Sequence, residues 1–530
     1  MAHRKRHAQD GQRTEYAVVI PTLGRASLQH CLDALAAADG PLPRQVVLVD
    51  DRPQTPCPLP VSVPAALAGR TTVVTLEGRG PAAARNAGWR AAHAAGWVVF
   101  LDDDVRVSAP WRADLAADLA AQDERVAGVQ GIIEVPLPAG RRPTDWERGT
   151  AGLAGARWIT ADMAYRRRAL VAAGGFDERF PRAFREDADL ALRLLGLGWT
   201  LRRGTRVTIH PVRPAGRWAS LRAQAGNRDD ALMSRLHGRR WHRRAGAAPG
   251  RRLFHWAVCA LAAGAAGGIG GAFLAPAAAR PALRRAGLAA GAGWLLATAE
   301  FTVARVRPGP RDWHEVVTMA ATSALIPPLA AWHWTAGWWC HRHAGPWPPR
   351  PAAVLFDRDG TLVQDVPYNG DPELVTAMPG AAEALSRLRR AGIRLGVVTN
   401  QSAVGLGLIT EDQMHAVNRR VEALLGPFGT WAVCPHPPEG CACRKPAPGL
   451  ILRAAADLGV DPAQCLIIGD IGADAQAACA AGARAILVPT AQTRPAETAG
   501  VPAAPGLAAA VAAVLGERQL PCWSTDEHSL

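Results

Sequence analysis

Potential soft metal ligands are concentrated in one short stretch of this chain, CPHPPEGCACRKP at 434–446. They are Cys434, His436, Cys441 and Cys443. Three thiolates and one imidazole form a ligand set that closes a tetrahedral zinc site without leaving a position for water. Free cysteines in a flexible loop are the alternative interpretation. The number and type of ligands favour a structural zinc, which would fix the loop that ends in Arg444 and Lys445.

Polar residues also follow three strand-length apolar runs in the last third of the chain, AAVLFDRDG, RLGVVTNQS and CLIIGDIGAD. These residues are Asp357, Asp359, Thr399, Asn400, Asp470 and Asp474. In an open α/β sheet, ligand groups gather beyond the carboxyl ends of the strands. Carboxylates there can hold Mg²⁺, and a carboxylate neutralised by Mg²⁺ can attack phosphorus to form an aspartyl-phosphate. One acidic strand end is more often a cap or a turn, but this ordered set, with a lysine, indicates phosphoryl transfer.

The motifs DRDGT, VVTNQS, RKP and GDIGAD, in this order, resemble the four motifs of the haloacid dehalogenase superfamily of phosphohydrolases. Within it, residues 352–515 are most similar to the histidinol-phosphate and heptose-bisphosphate phosphatase family. The resemblance implies Asp357 as the nucleophile and Asp359 as the general acid/base. The implied phosphoryl ligands are Thr399 and Lys445, and the implied substrate contacts are Asn400 and Arg444. The implied Mg²⁺ ligands are Asp357, Asp359 and Asp470, the first and last through their side chains.

Two positions depart from the pattern of that family. Leu406, in NQSAVGLG, replaces a usual arginine, and Ile471 follows Asp470 where a basic residue is common. We expect catalysis to survive both changes. They leave open which substrate fits the site. We expect D-glycero-D-manno-heptose 1,7-bisphosphate, and histidinol phosphate or another sugar phosphate is the alternative.

Three further acidic clusters lie in the first half of the chain. They are Asp50 with Asp51, Asp102 with Asp103 and Asp104, and Glu186 with Asp187. A carboxylate pair at a strand end can coordinate a divalent ion that bridges the diphosphate of a nucleotide sugar, and another carboxylate can deprotonate an acceptor hydroxyl. Taken singly, each cluster is more often a cap or a solvated turn, and the last one also suits a helix N-terminus.

The sequences VVIPTLGR, VLVDD, ARNAGWRAA, FLDDDV, GGFDERF and EDADLALRLLGLGW resemble the successive motifs of family 2 glycosyltransferases with a GT-A fold, over about residues 16 to 240. The resemblance implies that Asp50 or Asp51 contacts the nucleotide and that Glu186 lies at the substrate. It implies Asp102 and Asp104 as ligands of Mg²⁺ or Mn²⁺. It further implies Asp187 as the base of an inverting transfer. The Q-x-x-R-W element of processive synthases is absent from the sequence, which favours the transfer of one sugar per encounter.

The elements that must position these groups follow an α/β rhythm at both ends of the chain. AVVIP (17–21), QVVLVDD (45–51) and GWVVFLDDD (96–104) are predicted buried strands, separated by helical segments such as SLQHCLDALAAA. The pattern predicts an open, mostly parallel sheet, which is Rossmann-like in the GT-A case. The same rhythm returns after residue 350 and predicts a second Rossmannoid domain. A chain of 530 residues is also too long for one core.

Three apolar stretches, 253–276, 286–304 and 316–340, lie between the two α/β regions, and an arginine-rich segment precedes them. The first and third are long enough to cross a bilayer, whereas the second is marginal. Buried helices of a soluble domain are the alternative. Three crossings would place the two α/β domains on opposite sides of the membrane. We therefore predict two crossings and one interfacial or re-entrant segment, with both catalytic domains on the cytoplasmic side.

The composition narrows the partners and the compartment. The formal net charge of +14 favours anionic partners such as acidic lipid headgroups and phosphorylated sugars. The arginines lie beside apolar segments rather than among stacking aromatics, and no nucleic-acid motif appears, so we expect no nucleic-acid binding. The ten cysteines show no disulfide spacing, and the N-terminus lacks the apolar region of a signal peptide, so a reducing compartment is expected.

These observations predict a bifunctional, membrane-associated enzyme of mixed α/β class. Its expected segments are a basic disordered tail (1–15), a glycosyltransferase domain (16–245), an apolar helical region (246–345), a linker (346–351), a phosphatase domain (352–517) and a disordered tail (518–530). The predicted substrates are a sugar phosphate, a nucleotide sugar and a glycoconjugate acceptor. In the alternative interpretation only the phosphatase is active, and the transferase-like domain is a binding module.

Overall fold

The structure is a computed structural model that describes residues 15–54, 57–92, 95–437, 441–498 and 501–517. The predicted disordered tails, 1–15 and 518–530, lie outside the described residues except for residue 15.

The N-terminal domain alternates strands and helices. Its strands are β1 (Tyr16–Thr22), β2 (Gln45–Asp50), β3 (Thr71–Thr75), β4 (Trp97–Leu101), β5 (Arg106–Val107), β6 (Val126–Glu134), β7 (Asp162–Arg166) and β8 (Thr200–Ile209). Its helices are α1 (Ser27–Ala37), α2 (Ala65–Ala68), α3 (Pro81–Ala91), α4 (Trp111–Ala120), α5 (Asp145–Ala151), α6 (Arg167–Ala173), α7 (Glu186–Gly196), α8 (Ala219–Ala223), α9 (Asn227–His237) and α10 (Trp241–Ala245). Short 3₁₀ turns span Gly152–Gly155 and Gln224–Gly226.

Among the described residues these strands form one sheet in the order β3-β2-β1-β4-β7-β6-β8-β5. The segment β3-β2-β1-β4 is parallel, as predicted. Strand β7 is antiparallel to both β4 and β6, and β5 is antiparallel to β8. The sheet is therefore mixed. The sequence of β7 is not a continuous apolar run, because the strand contains the buried Asp162. This carboxylate forms an ion pair with the buried Arg206 at 2.8 Å.

The two faces of this sheet are both covered, as expected for parallel strands. Val18 and Ile20 of β1 pack into one apolar cluster together with α1. Ala17 and Val19, on the opposite face of the same strand, pack into a second cluster together with α3. The continuous apolar runs of the sequence therefore reflect strands that are buried on both sides.

Three long helices follow: α11 (Arg252–Leu274), α12 (Arg280–Val306) and α13 (Trp313–Cys340). Each is long and apolar enough to cross a membrane. The second exceeds the marginal stretch predicted for it because helix continues through the arginines at its start. Helices α11 and α12 form an antiparallel hairpin with very close backbones, since a Cβ at Gly268 would lie 2.6 Å from the Cα of Gly287. Close approach through small residues is typical of helix pairs in membranes.

Helix α13 differs from the hairpin because it contacts the N-terminal domain near both of its ends. Near its start, Glu315 Oε1 accepts a hydrogen bond from the backbone N–H of Asp145 at 3.2 Å. Near its end, a Cβ at Gly337 would lie 2.7 Å from the Cα of Arg228 in α9. The helix therefore runs along the surface of the domain rather than projecting away from it.

The C-terminal domain has a parallel sheet in the order β11-β10-β9-β12-β13. Its strands are β9 (Ala353–Phe356), β10 (Arg394–Asn400), β11 (Trp431–Cys434), β12 (Cys465–Gly469) and β13 (Arg484–Leu487). Its helices are α14 (Ala381–Arg390), α15 (Ser402–Gly405), α16 (Glu411–Leu425), α17 (Gly449–Asp457), α18 (Gly472–Ala481), α19 (Pro495–Thr498) and α20 (Leu507–Val514), and 3₁₀ turns span Pro372–Leu374 and Pro462–Gln464. The predicted strands at β9, β10 and β12 are confirmed.

The two α/β domains contact each other directly. Arg167 Nη2 in α6 donates a hydrogen bond to the backbone oxygen of Cys479 in α18 at 3.2 Å. In the linker, Trp347 Nε1 donates to the backbone oxygen of Gly174 at 3.0 Å. The two domains are therefore joined by contacts at α6, at α18 and in the linker.

Candidate active sites

The first candidate site lies at the carboxyl ends of β9, β10 and β12. Asp357 directly follows β9, and the Nζ of Lys445 lies 2.8 Å from its Oδ1. The same ammonium group lies 2.7 Å from Asp474 Oδ1 and donates to the backbone oxygen of Val398 at 3.0 Å. Lys445 is only 3% exposed. Three strand ends therefore share one buried cation.

Burial also sets the protonation of this site. Burial raises the pKa of Asp357 to about 8, against the opposing effect of Lys445. It raises the pKa of Asp470 to about 7. Asp357, Asp470 and Asp474 each place a carboxylate oxygen within 4.8 Å of the others. Buried carboxylates this close together repel one another when ionised, so the set suits a hard divalent cation.

The carboxylate of Asp359 is held by different neighbours. Arg358 Nε and Nη2 donate to its two oxygens at 3.0 Å each, and Gln401 Nε2 donates to Oδ2 at 2.8 Å. Gln401 also donates to the hydroxyl of the buried Thr399 at 3.1 Å. The sequence interpretation gave no role to Arg358 or Gln401, although both stand inside the quoted motifs, next to residues that it did select.

The predicted substrate contacts Asn400 and Arg444 lie beside the lysine. Asn400 Nδ2 donates to the backbone oxygen of Lys445, and the backbone N–H of Lys445 donates to Asn400 Oδ1, both at 3.1 Å. This pair of bonds fixes the lysine backbone to the end of β10. The Nη1 of Arg444 is buried without a hydrogen-bond partner among the described residues.

The predicted zinc ligands converge within the described part of their loop, which omits 438–440. A tetrahedral site with ordinary Zn–S and Zn–N bonds requires S···S distances of about 3.7 Å and S···N distances of about 3.5 Å. The Sγ of Cys434 lies 3.7 Å from that of Cys441, and His436 Nδ1 lies 3.6, 3.2 and 3.4 Å from the sulfurs of Cys434, Cys441 and Cys443. The 2.8 Å between Cys441 and Cys443 is shorter. The donor set and most of its spacing fit zinc.

The second candidate site lies at the end of β4 in the N-terminal domain. Asp102, Asp104 and His210 can each place one ligand atom within 4.8 Å of the others. The sequence interpretation missed His210, an isolated histidine just after β8. Asp103 has another role, because its carboxylate accepts hydrogen bonds from Thr22 Oγ1 at 2.7 Å and Arg25 Nη1 at 2.9 Å. The outer two carboxylates of the cluster thus form the potential metal site.

Glu186 and Asp187 form the first turn of α7 and face the same site through Arg85. Arg85 Nη1 donates to Glu186 Oε1 at 2.7 Å, and its Nη2 donates to Asp102 Oδ1 at 3.0 Å. Burial raises the pKa of Glu186 to about 8 and also raises the pKa of Asp187. The sequence interpretation assigned nothing to Arg85, although it lies in the quoted ARNAGWRAA.

The carboxylates at the end of β2 have defined partners. Asp51 accepts hydrogen bonds from the backbone N–H groups of Arg79 and Gly80 at 2.7 Å each, which fixes the loop before α3. Asp50 pairs with Arg52 at 2.6 Å, and this hydrogen bonding lowers the pKa of Asp50. These contacts shape the surface on which a nucleotide contact was predicted.

A cavity of about 790 Å³ opens from the second site toward the long helices. We call it the transferase cavity. Its walls include Asp102, Asp187 and His210 from the N-terminal domain, and His255, Phe301 and Ile326 from α11, α12 and α13.

Comparison with known proteins agrees with this two-part structure. A family model described as glycosyl transferase family 2 matches residues 17–167, and one described as HAD-hydrolase-like matches residues 442–515. Both domains thus match families of enzymes, which disfavours the interpretation of the N-terminal domain as a mere binding module.

Curated relatives match the C-terminal part of the chain. The D-glycero-beta-D-manno-heptose-1,7-bisphosphate 7-phosphatase of Rhodopseudomonas palustris is 40% identical over 147 residues, which cover 26% of this chain and 81% of the relative. The enzyme of that name from Pseudomonas putida is 34% identical over 155 residues, covering 28% and 89%.

A solved structure, the D,D-heptose 1,7-bisphosphate phosphatase from B. bronchiseptica complexed with magnesium and phosphate, is 30% identical, covers 31% of this chain and 99% of that chain, and has a TM-score of 0.27. The identity and coverage of the curated relatives are sufficient to show the family. Through its C-terminal domain the chain belongs to the heptose-bisphosphate phosphatase family of haloacid dehalogenase-like hydrolases, and it carries this phosphatase fused to a family 2 glycosyltransferase domain.

Proposed function

We propose that the C-terminal domain hydrolyses the 7-phosphate of D-glycero-D-manno-heptose 1,7-bisphosphate, as the names of its relatives suggest. The observation that carries the chemistry is the contact of the buried Lys445 ammonium with Asp357. A fixed cation beside the nucleophile lowers the cost of gathering negative charge there. Mg²⁺ held by Asp357, Asp359 and Asp470 would supply further positive charge to the phosphate oxygens.

In the proposed reaction, an Asp357 oxygen attacks phosphorus, and the sugar oxygen leaves as Asp359 gives it a proton. Asp359 then removes a proton from water, which attacks the aspartyl-phosphate and releases inorganic phosphate. Thr399 and Lys445 contact the phosphoryl oxygens throughout. The three hydrogen bonds that Asp359 accepts, two from Arg358 and one from Gln401, would hold its carboxylate in one orientation for both steps.

The proposed zinc of Cys434, His436, Cys441 and Cys443 has a structural role. The loop that it would close continues directly into Arg444 and Lys445. Zinc would therefore hold these two cationic side chains at the phosphate site, where Arg444 Nη1, which has no hydrogen-bond partner in the described part of the chain, would contact substrate.

For the N-terminal domain we propose the transfer of one sugar from a nucleotide sugar to a glycoconjugate acceptor. Asp102 and Asp104, with His210 added from the structure, would hold Mg²⁺ or Mn²⁺ at the diphosphate. Asp187 would take the proton of the acceptor hydroxyl. Asp50 and Asp51 would lie at the nucleotide, and Glu186 would lie at the substrate through its contact with Arg85.

The proposed domain limits are 16–245, 246–345 and 352–517, with 346–351 as the linker. We propose that the α11–α12 hairpin crosses the membrane and that α13 lies along the interface against the transferase domain. A helix of 23 residues spans about 34 Å, enough for a hydrocarbon core of about 30 Å. The contact between Arg167 and Cys479 supports the placement of both catalytic domains on one side.

That side is proposed to be cytoplasmic. The segment 235–252 at the base of the hairpin contains seven arginines, against three at 280–285 near its tip. An excess of arginine marks the cytoplasmic ends of membrane helices, and it also favours contact with acidic lipids.

Phosphate release by the full-length protein tests the first proposal. The purified chain is assayed with Mg²⁺ against heptose 1,7-bisphosphate, other sugar phosphates and histidinol phosphate. Asp357→Asn should abolish release, and Asp412→Asn, at an exposed carboxylate of the same domain, should not. Preference for histidinol phosphate would overturn the assignment of the substrate but not that of the reaction, whereas release that survives Asp357→Asn would overturn the mechanism.

A further inference from the structure

The lining of the transferase cavity indicates what kind of acceptor the transferase uses. We propose that the acceptor is a membrane lipid whose hydroxyl-bearing headgroup is joined to its chain through phosphate, and that it enters the cavity from the bilayer. This inference rests on the proposed transferase function and names its acceptor class.

The location of the transferase cavity is the first observation. One wall carries Asp102 and Asp187, the proposed metal ligand and base. The opposite wall consists of residues from the base of the membrane hairpin, namely His255 and Phe301. A soluble acceptor would need no wall from the membrane region. A headgroup that reaches Asp187 from this side can remain attached to a chain in the lipid phase.

Hydrogen-bond donors at the helix end of the cavity are the second observation. His255 is 9% exposed, and its Nδ1 has no hydrogen-bond partner among the described residues. Arg305 is 8% exposed, and Nη2 bonds Asp145 Oδ2 at 2.7 Å while Nη1 bonds Thr322 Oγ1 at 2.8 Å. Arg251 lines the same end of the cavity, and its Nη2 bonds Glu300 Oε2 at 2.9 Å. Two guanidinium groups and one imidazole at the same end of the cavity offer N–H donors, which would suit a phosphate between the lipid chain and its headgroup.

Apolar groups give the lipid chain its path. Phe301 and Ile326 line the cavity beside those cations and belong to helices whose outer faces are apolar and exposed. Trp146 of the N-terminal domain lines the cavity and is 39% exposed, and Trp218, which is 44% exposed, lies two residues before the lining residue Ser220. Exposed tryptophans are enriched where proteins meet the membrane interface. The opening therefore combines an interfacial rim with an interior that holds arginines and a histidine beside apolar side chains.

The reaction balances with this acceptor. The headgroup oxygen forms a bond to the anomeric carbon of the donor sugar, and the bond from that carbon to the diphosphate oxygen breaks. The nucleoside diphosphate leaves with the electron pair, and Asp187 receives the hydroxyl proton. The product is a glycosylated lipid that can return to the bilayer through the same opening.

The test uses the full chain in phosphatidylcholine nanodiscs that contain a minority of phosphatidylglycerol with a photoreactive acyl chain. This probe has a hydroxyl headgroup, a phosphate and a chain. Labelled peptides are mapped by mass spectrometry, with and without millimolar glycerol phosphate as a soluble competitor. We expect labelling of cavity peptides around residues 149–153 and 326 that glycerol phosphate does not displace.

Two glycine variants provide the matched control. Gly149 lines the cavity, Gly152 does not, and a Cβ at either position meets open space. Gly149→Phe should lower cavity labelling about tenfold or more by filling the space, whereas Gly152→Phe should leave it unchanged. Labelling restricted to the outer hairpin, or equal in the two variants, would overturn the inference. Full displacement by glycerol phosphate would likewise overturn it in favour of a soluble acceptor.

Release of nucleoside diphosphate from a panel of nucleotide sugars, measured in the same nanodiscs, separates this inference from the transferase proposal. Turnover that depends on Asp187 but occurs without cavity labelling overturns the lipid acceptor alone. Cavity labelling without turnover of any donor supports the lipid site and contradicts the proposed transfer reaction.

Discussion

The phosphatase site draws its groups from neighbouring strand ends of one domain, whereas the transferase cavity takes its walls from the N-terminal domain and from the long helices that follow it. In the first, a single ammonium group, Lys445 Nζ, lies within 2.8 Å of the carboxylates of Asp357, just after β9, and of Asp474, in the first turn of α18. In the second, carboxylates such as Asp102 pair with arginines, and the far wall belongs to other elements. The phosphatase should therefore depend on a few local contacts, and the transferase should also depend on the arrangement of the helices.

The largest expected effect is a loss of sugar transfer in Asp187→Asn with no loss of phosphate release. Asp187→Asn removes the proposed base, so release of nucleoside diphosphate should fall by about 10²–10⁴-fold. Phosphate release by the same preparation should not change. The control is Asp230→Asn, at a partly exposed carboxylate that pairs with Arg185. Equal losses in the two variants would show that the effect comes from disturbed folding around α7 and α9 rather than from a missing base.

Lys445→Met should have the opposite effect, a loss of phosphate release with sugar transfer retained. The variant leaves two buried carboxylates, Asp357 and Asp474, without their cation, so phosphate release should fall by about 10²–10³-fold. Breaking a buried ion pair also costs about 3–5 kcal/mol of unfolding free energy, measurable by denaturant titration of the C-terminal domain. Transfer should persist in the same sample.

Lys445→Arg provides the second arm of this test. The planar guanidinium does not replace a compact ammonium between two fixed oxygens, so we expect little rescue. Phosphate release within a few fold of the unaltered chain in either variant would contradict the proposed role of this side chain.

The same contrast explains how much the sequence could predict. The first site could be predicted because its strands are continuous apolar runs, at or just after whose ends stand Asp357, Thr399 and Asp470. The expectation that ligand groups gather at strand ends, together with one lysine, was enough to locate it. His210 and Arg85 join the second site through strand order and helix packing, and no local spacing marks them. Strand β7 was missed for a related reason, since its buried Asp162 depends on a distant partner, Arg206.

The membrane region shows the same limit. Apolar length predicted the three helices, but a composition rule cannot distinguish a crossing helix from one that lies along a domain. The contacts of α13 with Asp145 and Arg228, far apart in the sequence, show only that this helix packs along the N-terminal domain.

A smaller effect is expected from the zinc loop. Cys443→Ser removes one proposed ligand, so zinc content should fall, and phosphate release should fall by about 10–100-fold because the loop no longer holds Lys445. Cys57→Ser, at an exposed cysteine of the other domain, is the control. Metal analysis and both activities are measured together. Unchanged zinc content in Cys443→Ser would contradict the ligand set, and normal phosphate release without zinc would contradict its supporting role.

A pH profile sharpens the comparison further. Burial raises the pKa of Asp187, so its basic form is lost at a higher pH than for an exposed aspartate, whose pKa is about 3.9. Transfer should fall as pH drops through this raised value, by about tenfold per unit below it. The measurement is the initial rate of transfer at saturating donor concentration, as a function of pH on the acidic side of the profile. A limb in the ordinary range of aspartate would argue against a buried base.

The smallest expected effect concerns the helical hairpin alone. Gly268→Leu places a side chain where a Cβ already lies 2.6 Å from Gly287, so α11 and α12 must separate, at a cost of about 1–3 kcal/mol. The bases of these helices form one wall of the transferase cavity, so transfer should fall by a few fold while phosphate release stays constant. Gly270→Leu is the matched control, because a Cβ there meets open space. Both rates are measured in the same nanodiscs.

Equal losses of transfer in the two variants would mean that bulk in the lipid phase, and not the contact between the helices, affects the cavity. A parallel loss of phosphate release would mean that the phosphatase also depends on the hairpin, through the contact between Arg167 and Cys479 that joins the two domains.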